Sequence, residues 1–226
     1  MEDPVYLDDE RVLNRMLASE TRQEIESYFE TCVQKDFTES DRHELAIWMR
    51  DVCIAEECQP DVLPLSILII DRFLSVVRTK RNQLQLLGSV ALLVASKLRQ
   101  TIQIPAKHLI YYTQDLITLS ELKTWELFVL TTLKWDLALI TPVDYLDIFI
   151  RRMKLVDSQM ISDIEDQAQK LIVECCLEFK YSLYPPSVIA WACLIKSMEL
   201  WHLTSDHLHL TVKIQNHLAR KITTTS

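Results

Sequence analysis

The chain has 226 residues, is 49% hydrophobic and 25% charged, and carries a formal net charge of −8. That composition supports a folded chain of one large domain or two of about 100 residues, and the acidic balance argues against the Lys- and Arg-driven phosphate contacts of nonspecific nucleic-acid binding. One glycine in 226 residues leaves little for tight hairpins or bulges, so an all-α fold is expected, with no signal peptide and no membrane span.

The elements follow in chain order. Residues 5–18 form a short amphipathic helix with Val12, Leu13, Met16 and Leu17 inward. Thr21 and Glu24 fit a capping box, and Ile25, Tyr28, Phe29, Cys32 and Val33 then recur at helical spacing. Thr38 to Asp41 opens a helix carrying Leu45, Trp48, Met49 and Val52. Asp61 and Pro64 start another through Leu68, Phe73 and Leu74. The stretch Leu84 to Leu98 is apolar on every face and belongs inside a bundle. Its length of roughly 22 Å is too short to cross a bilayer. Gly88, Ala91 and Ala95 give it a small face where a neighbour packs closely, which offsets the helical cost of glycine, about 1 kcal/mol. Pro105 begins a short helix, and a residue near Ser120 begins a long one ending at Lys134 or Trp135.

Thr141-Pro142 reads as a helix N-cap and first-turn proline, and marks the boundary between two halves. Helices follow near 142–153, 158–179 and 186–200. In the last stretch, Leu208, Leu210, Val212 and Ile214 alternate like a strand, whereas Ser205 suits the cap of a helix reaching Lys221; class consistency favours the helix. Ser89-Val90-Ala91 with Lys97 echoes Ser187-Val188-Ile189-Ala190 with Lys196, which suggests two similar bundles in tandem.

Several charges are out of place. Glu126 falls on the apolar stripe of Leu119, Leu122, Val129, Leu130 and Leu133, so it is either paired internally or kept for a partner. Asp71 and Arg72 interrupt an apolar run, and Arg42 is the natural internal partner of Asp71. Lys97 suits the negative end of its own helix. Cys32, Cys53, Cys58, Cys175, Cys176 and Cys193 contain no CxxC pair and are expected as buried free thiols. His202, His207, His209 and His217 match no metal spacing, and no phosphate-binding, dinucleotide, zinc-protease or hydrolase motif is present.

The segments CVQKDF (32–37), WMRDVC (48–53), IDRFLS (70–75), LQLLG (84–88), VASK (94–97), LKWDLALITPVDYLDIF (133–149) and YPPSVIA (184–190) give the chain a specific likeness. From about Val12 to Met198 it resembles the cyclins, the D-type cyclins most of all. The five dispersed residues that mark the cyclin box fall on Arg42, Asp71, Leu86, Lys97 and Glu126. The resemblance implies two five-helix cyclin boxes after an N-terminal helix: a segment 1–38, a first box 39–136 and a second, shortened bundle 137–222. It implies a non-catalytic, cofactor-free subunit that activates a G1/S-type cyclin-dependent kinase, such as kinase 2 or the D-type partners 4 and 6. Lys97 and Glu126 would grip the kinase's mobile helix, Leu98 and Trp135 would supply apolar contact, and Arg42 and Asp71 would pair internally. A protein of the nucleus and cytoplasm is implied, with no nucleic acid or membrane as partner.

Departures from the family pattern have consequences. Cyclins dock Arg-x-Leu peptides on a surface patch, which falls here on Asp41, Glu44, Leu45, Trp48, Asp51, Leu84 and Gln85. Asp41 and Glu44 stand where apolar residues are usual, so apolar docking should weaken while the new carboxylates attract the peptide's arginine. Gln100 replaces the usual acid after VASK, the Leu-x-Cys-x-Glu sequence of D-type cyclins is absent near the N-terminus, and no Pro-, Glu-, Ser- and Thr-rich tail follows. Such a short, divergent D-type-like chain resembles the cyclin homologues carried by gammaherpesviruses. The competing reading is a cyclin-fold transcription-factor or pocket-type binding module, which a kinase-mixing assay separates from an activator.

Overall fold

A computed structural model describes residues 10–153 and 158–200. Among these residues every regular element is helical, as the scarcity of glycine implies. The chain divides into two compact units: residues 23–141 with 173–183, and the described residues of 1–22, 142–172 and 184–226.

The first unit is built around the apolar stretch. Its helices are α2 (Glu39–Ala55), α3 (Val62–Leu74), α4 (Leu84–Arg99), α5 (Ala106–Tyr112) and α6 (Leu119–Thr132); α1 (Glu10–Glu20) belongs to the other unit. Helix α4 is buried from Leu86 to Ser96 without interruption, and α2, α3, α5 and α6 all pack on it. Gly88 explains how closely they approach: a Cβ there would lie 2.9 Å from Leu45 Cδ1, 3.3 Å from Trp48 Cζ3 and 3.4 Å from Met49 Sδ. Close packing offsets the helical penalty of the glycine, about 1 kcal/mol.

Capping boxes start two of these helices. Thr38 caps α2 with Asp41, and Thr118 caps α6 with Glu121; each side chain bonds the other's backbone amide. Glu56, the residue just after α2, is followed by Glu57 in the left-handed region at φ 50°, and α6 ends through Lys134 and Trp135 at φ 54° and 59°. These turns usually fall to glycine. With a single glycine committed to the core of α4, ordinary residues take the left-handed positions.

The expected helix at 25–33 does not form. A single turn there is closed by the Thr31 amide donating to Ser27 O at 2.9 Å, and the chain then reverses through Cys32 at φ 57°. Tertiary contacts override the helical spacing. Tyr28 and Phe29 join an aromatic cluster with Phe37 and Phe179, with ring centroids 4.6–5.6 Å apart. Gln34 is buried, donating to Leu74 O and Val77 O and accepting from the Thr79 amide. Those bonds hold an extended path rather than a helix.

The second unit holds α1, α7 (Pro142–Arg152), most of α8 (Ser158–Leu177) and α10 (Pro186–Leu200). Helix α10 packs on α7, with Phe149 stacked on Tyr145 and edge-on to Trp191. Glu20 at the end of α1 is buried and accepts from the Ser187 amide at 3.1 Å, the Ser187 hydroxyl at 2.8 Å and Tyr145 OH at 3.0 Å. A carboxylate from one helix therefore caps the start of another. Helix α8 stops at Leu177 instead of continuing to 179, and the short α9 (Phe179–Ser182) follows. Arg42 and His43 take the carbonyls that would otherwise continue it: Arg42 Nη1 bonds Cys176 O and Leu177 O, and His43 Nδ1 lies 3.1 Å from Leu177 O. The strand-or-helix question at 205–221 and the histidines at 202, 207, 209 and 217 lie outside the described residues.

Of the six cysteines, Cys32 is exposed rather than buried, because it sits at the left-handed reversal; Cys193 is buried and the others are intermediate. All six are free thiols. Burial pushes the Cys176 thiol up to about 12, against the opposing charge of Arg42.

Candidate functional site

The out-of-place charges resolve into two structures within the first unit. The first is a buried hub. Arg42 at the start of α2 and Asp71 on α3 are 1% and 0% exposed. Arg42 Nη2 donates to Asp71 Oδ2 at 2.7 Å and Nε donates to Oδ1 at 3.2 Å, a two-point grip. Tyr28 OH donates to Oδ1 at 2.8 Å and Ser182 Oγ donates to Oδ2 at 2.7 Å. Burial and the Asp71 charge together push the Tyr28 phenol well above its ordinary range. The spare face of the guanidinium takes the two carbonyls at 176 and 177. One ion pair thus ties together α2, α3, the turn at 28 and the segment 173–183.

The second structure is on the surface. Lys97 in the last turn of α4 and Glu126 in the middle of α6 meet at 2.5 Å. Lys97 is 39% exposed and Glu126 18%. The lysine stays in the last turn of its own helix while its ammonium meets the carboxylate of a neighbouring one. Glu126 is therefore neither buried alone nor fully solvated. Leu98, Leu127, Phe128 and Trp135 are exposed close by in sequence on either side of the pair. Phe128 packs edge-on against Phe73 and Trp125. Trp135 is fixed by its amide donating to Leu130 O at 2.9 Å. Leu119, expected on the buried stripe, is exposed instead, since it opens the first turn of α6. Leu127 and Phe128 were not singled out by periodicity, because they follow Glu126 on the same helix and fall off its buried face.

The residues of the expected docking patch separate by burial. Leu45 and Leu84 are buried, Trp48 and Gln85 are intermediate, and Glu44 and Asp51 are exposed. Trp48 Nε1 donates to Tyr112 O at 3.4 Å, and Asp51 pairs with Arg50 at 2.9 Å. Asp41 is already engaged. Its Oδ2 accepts from the Thr38 amide and hydroxyl, and its Oδ1 lies 2.6 Å from Arg81 Nε. The Thr38 amide, helped by that hydroxyl and by Arg81, holds the Asp41 carboxyl below the usual carboxylate range. Of the two acids, Asp41 is thus held by a cap and an ion pair, and Glu44 is exposed. Leu86 is buried on α4, and its role is packing.

Among the described residues no group of three His, Cys, Asp or Glu side chains is arranged to hold a metal ion, and no helix is long and apolar enough to cross a membrane. Residues 11–138 match the cyclin N-terminal domain. The chain belongs to the cyclin family. It is 42% identical to G1/S-specific cyclin-D2 of Gallus gallus over 188 residues, which is 83% of this chain and 64% of the relative. It is 39% identical to G1/S-specific cyclin-D3 of Homo sapiens over 189 residues, again 83% and 64%. The chain therefore spans just under two thirds of the length of these D-type relatives. Among solved structures, a viral cyclin from herpesvirus saimiri matches with a TM-score of 0.76 at 26% identity, over 84% of this chain and 82% of that one. In this cyclin, the Arg42–Asp71 and Lys97–Glu126 pairs fall within the matched residues, whereas Ser182 and the carbonyls of 176 and 177 that complete the hub lie beyond them.

Proposed function

We propose that this cyclin is a non-catalytic regulatory subunit that binds and activates a cyclin-dependent kinase of the G1/S type, with kinases 2, 4 and 6 as the candidates. The observation that carries the reading is the Lys97–Glu126 pair, 2.5 Å apart and still solvent-accessible, among exposed apolar side chains. An ammonium has three donors and a carboxylate about four acceptor sites. Each member of the pair therefore keeps capacity for another chain's backbone, Lys97 for carbonyls and Glu126 for amides. Leu98 and Trp135 supply apolar area beside it.

The mechanism follows from what a kinase lacks when alone. Its strand lysine must pair with the glutamate of a mobile helix before phosphoryl transfer proceeds. A rigid surface that binds only the inward position of that helix shifts the population to the active state. Activation then scales with differential affinity for the two positions. The residues 39–136 would form the activating box and 137–222 the second bundle, with 1–38 as the N-terminal segment.

Two finer readings belong to the same proposal. Arg-x-Leu docking is weakened on the patch around Trp48, because Asp41 and Glu44 replace apolar contacts; a docking peptide binding with ordinary cyclin affinity would refute this. A viral origin is inferred from the likeness to the herpesvirus saimiri structure, and action in the nucleus and cytoplasm of a host cell is proposed with it; hybridisation of the coding sequence to DNA of uninfected host cells would overturn that origin. The decisive experiment mixes the purified chain with monomeric cyclin-dependent kinases and measures phosphorylation of a protein substrate. Lys97→Ala with Glu126→Ala should abolish activation and leave the chain folded. Full activation by the folded double variant would sink the assignment.

A further inference from the structure

Cys53 and Cys58 are brought together by the way α2 ends. Glu57 is left-handed at φ 50°. Its amide donates to Ile54 O at 3.2 Å, and the Cys58 amide donates to Cys53 O at 2.9 Å. This is the Schellman arrangement, in which the residues at the two ends of the longer bond commonly make an apolar side-chain contact. Here both of those residues carry thiols. That backbone turn brings the two side chains to the same side of the helix end, and both are only partly buried. The neighbouring Glu56 carboxylate is occupied, accepting from Tyr112 OH at 2.7 Å with His108 Nδ1 at 3.0 Å. None of these groups takes part in the kinase surface.

We infer that Cys53 and Cys58 form a peroxide-sensitive dithiol, which a hydroperoxide converts to an intrachain disulfide across the end of α2. The 2.9 Å backbone bond from the Cys58 amide to Cys53 O ties the two residues directly together, which limits the movement a disulfide between them needs. Cys58 is the attacking sulfur. Interaction with the Cys53 thiol lowers the Cys58 thiol, with burial opposing, whereas the same interaction and burial push the Cys53 thiol up. The Cys58 thiolate attacks the terminal peroxide oxygen, breaking the O–O bond. Cys58 becomes a sulfenic acid, and the released alkoxide or hydroxide takes a proton from water. Cys53 sulfur then attacks Cys58 sulfur. The S–O bond breaks, the Cys53 proton leaves with the hydroxyl as water, and the S–S bond forms. Overall, two thiols and one hydroperoxide give a disulfide, one alcohol or water, and one further water. A dithiol reductant reverses the change by thiol–disulfide exchange.

The test is direct because cleavage after Arg50 and Arg72 leaves both cysteines in one peptide with no lysine or arginine between them. The full-length chain is treated with hydrogen peroxide, alkylated under denaturing conditions, digested with trypsin and weighed. The peptide 51–72 should lose two hydrogens and take no alkylating agent. The yield should exceed that of the urea-denatured chain roughly tenfold, as expected for preorganised reacting groups. In Cys53→Ser the reaction should stop at a sulfenic acid on Cys58, trapped by dimedone. In Cys58→Ser, Cys53 should remain a thiol. Two alkylatable thiols in the peptide at a peroxide dose that oxidises the exposed Cys32 would overturn the inference, as would equal yields from folded and denatured chains.

Discussion

Asp71→Ala tests the buried hub at its most connected atom pair. The Asp71 carboxylate is fully buried and accepts four hydrogen bonds, two from Arg42 and one each from Tyr28 and Ser182. Alanine removes all four. Arg42 would keep only the carbonyls of 176 and 177 and the Ser182 hydroxyl, with no countercharge. Removing one partner of a buried ion pair costs about 3–5 kcal/mol. The stranded Tyr28 and Ser182 hydroxyls add about 1–3 kcal/mol each at most, and water entering the vacated space offsets part of that. A loss of about 4 kcal/mol or more is expected, a large part of the total for a typical domain. Urea unfolding followed by circular dichroism measures it on Asp71→Ala, Asp71→Leu, Arg42→Met and Asp71→Leu/Arg42→Met. The double replacement should recover much of the loss, because no charge is left buried. A loss below about 1 kcal/mol for Asp71→Ala, or strictly additive single effects, would refute the reasoning.

The other predictions concern the surface pair, the second unit, alkaline stability and the central glycine. Reversing the surface pair, Lys97→Glu with Glu126→Lys, should keep the chain folded within about 1 kcal/mol, since exposed pairs contribute little, yet fail to activate a kinase; retained activation in the phosphorylation assay contradicts the proposed backbone grip. Glu20→Ala should lower the thermal stability of the second unit by about 1–3 kcal/mol for the orphaned Ser187 and Tyr145 groups, and calorimetry showing no loss would contradict the cap. Tyr28 and Tyr145 are both held above their ordinary value of 10.0, chiefly by burial and then by Asp71 and Glu20 respectively. Their folded-state pKa values are raised, so their contribution is complete below pH ~10 and is lost as pH rises beyond it. Ultraviolet titration should show these two phenols ionising only as the chain unfolds, and Tyr28→Phe should weaken that alkaline dependence. Gly88→Val should cost about 1–3 kcal/mol by overpacking and shift Trp48 fluorescence, whereas Gly88→Ala loses less because it gains about 1 kcal/mol of helix propensity.

Much of the architecture was legible in the sequence because local rules and burial agree there. The start at Thr38 to Asp41, the start near Ser120, the all-apolar stretch Leu84 to Leu98 and Thr141-Pro142 mark helix limits within a residue or two, whereas the capping box expected at Thr21 and Glu24 does not form, because Thr21 lies in a short 3-10 turn and its hydroxyl donates to Ala18 O. The failure at 25–33 is equally instructive. Helical spacing describes which side chains face inward, and Ile25 and Tyr28 are indeed buried. Whether the backbone between them is helical depends on the aromatic cluster and on Gln34, whose partners lie some 40 residues away.

By itself the sequence determined the helical class, the buried rod with its one glycine, and the presence of charges that apolar faces do not tolerate alone. Those follow from periodicity, propensity and the cost of burying charge, all of which act locally or on composition. The pairing of Arg42 with Asp71 was legible in the sequence; tertiary structure alone decided the other partners. Asp71 gathers Tyr28, Arg42 and Ser182 from three distant parts of the chain, Asp41 is consumed by its own helix cap and Arg81, and Lys97 turns to Glu126 on a neighbouring helix. Pairing depends on distances of a few ångströms between residues far apart in sequence, and only the packed fold sets those distances.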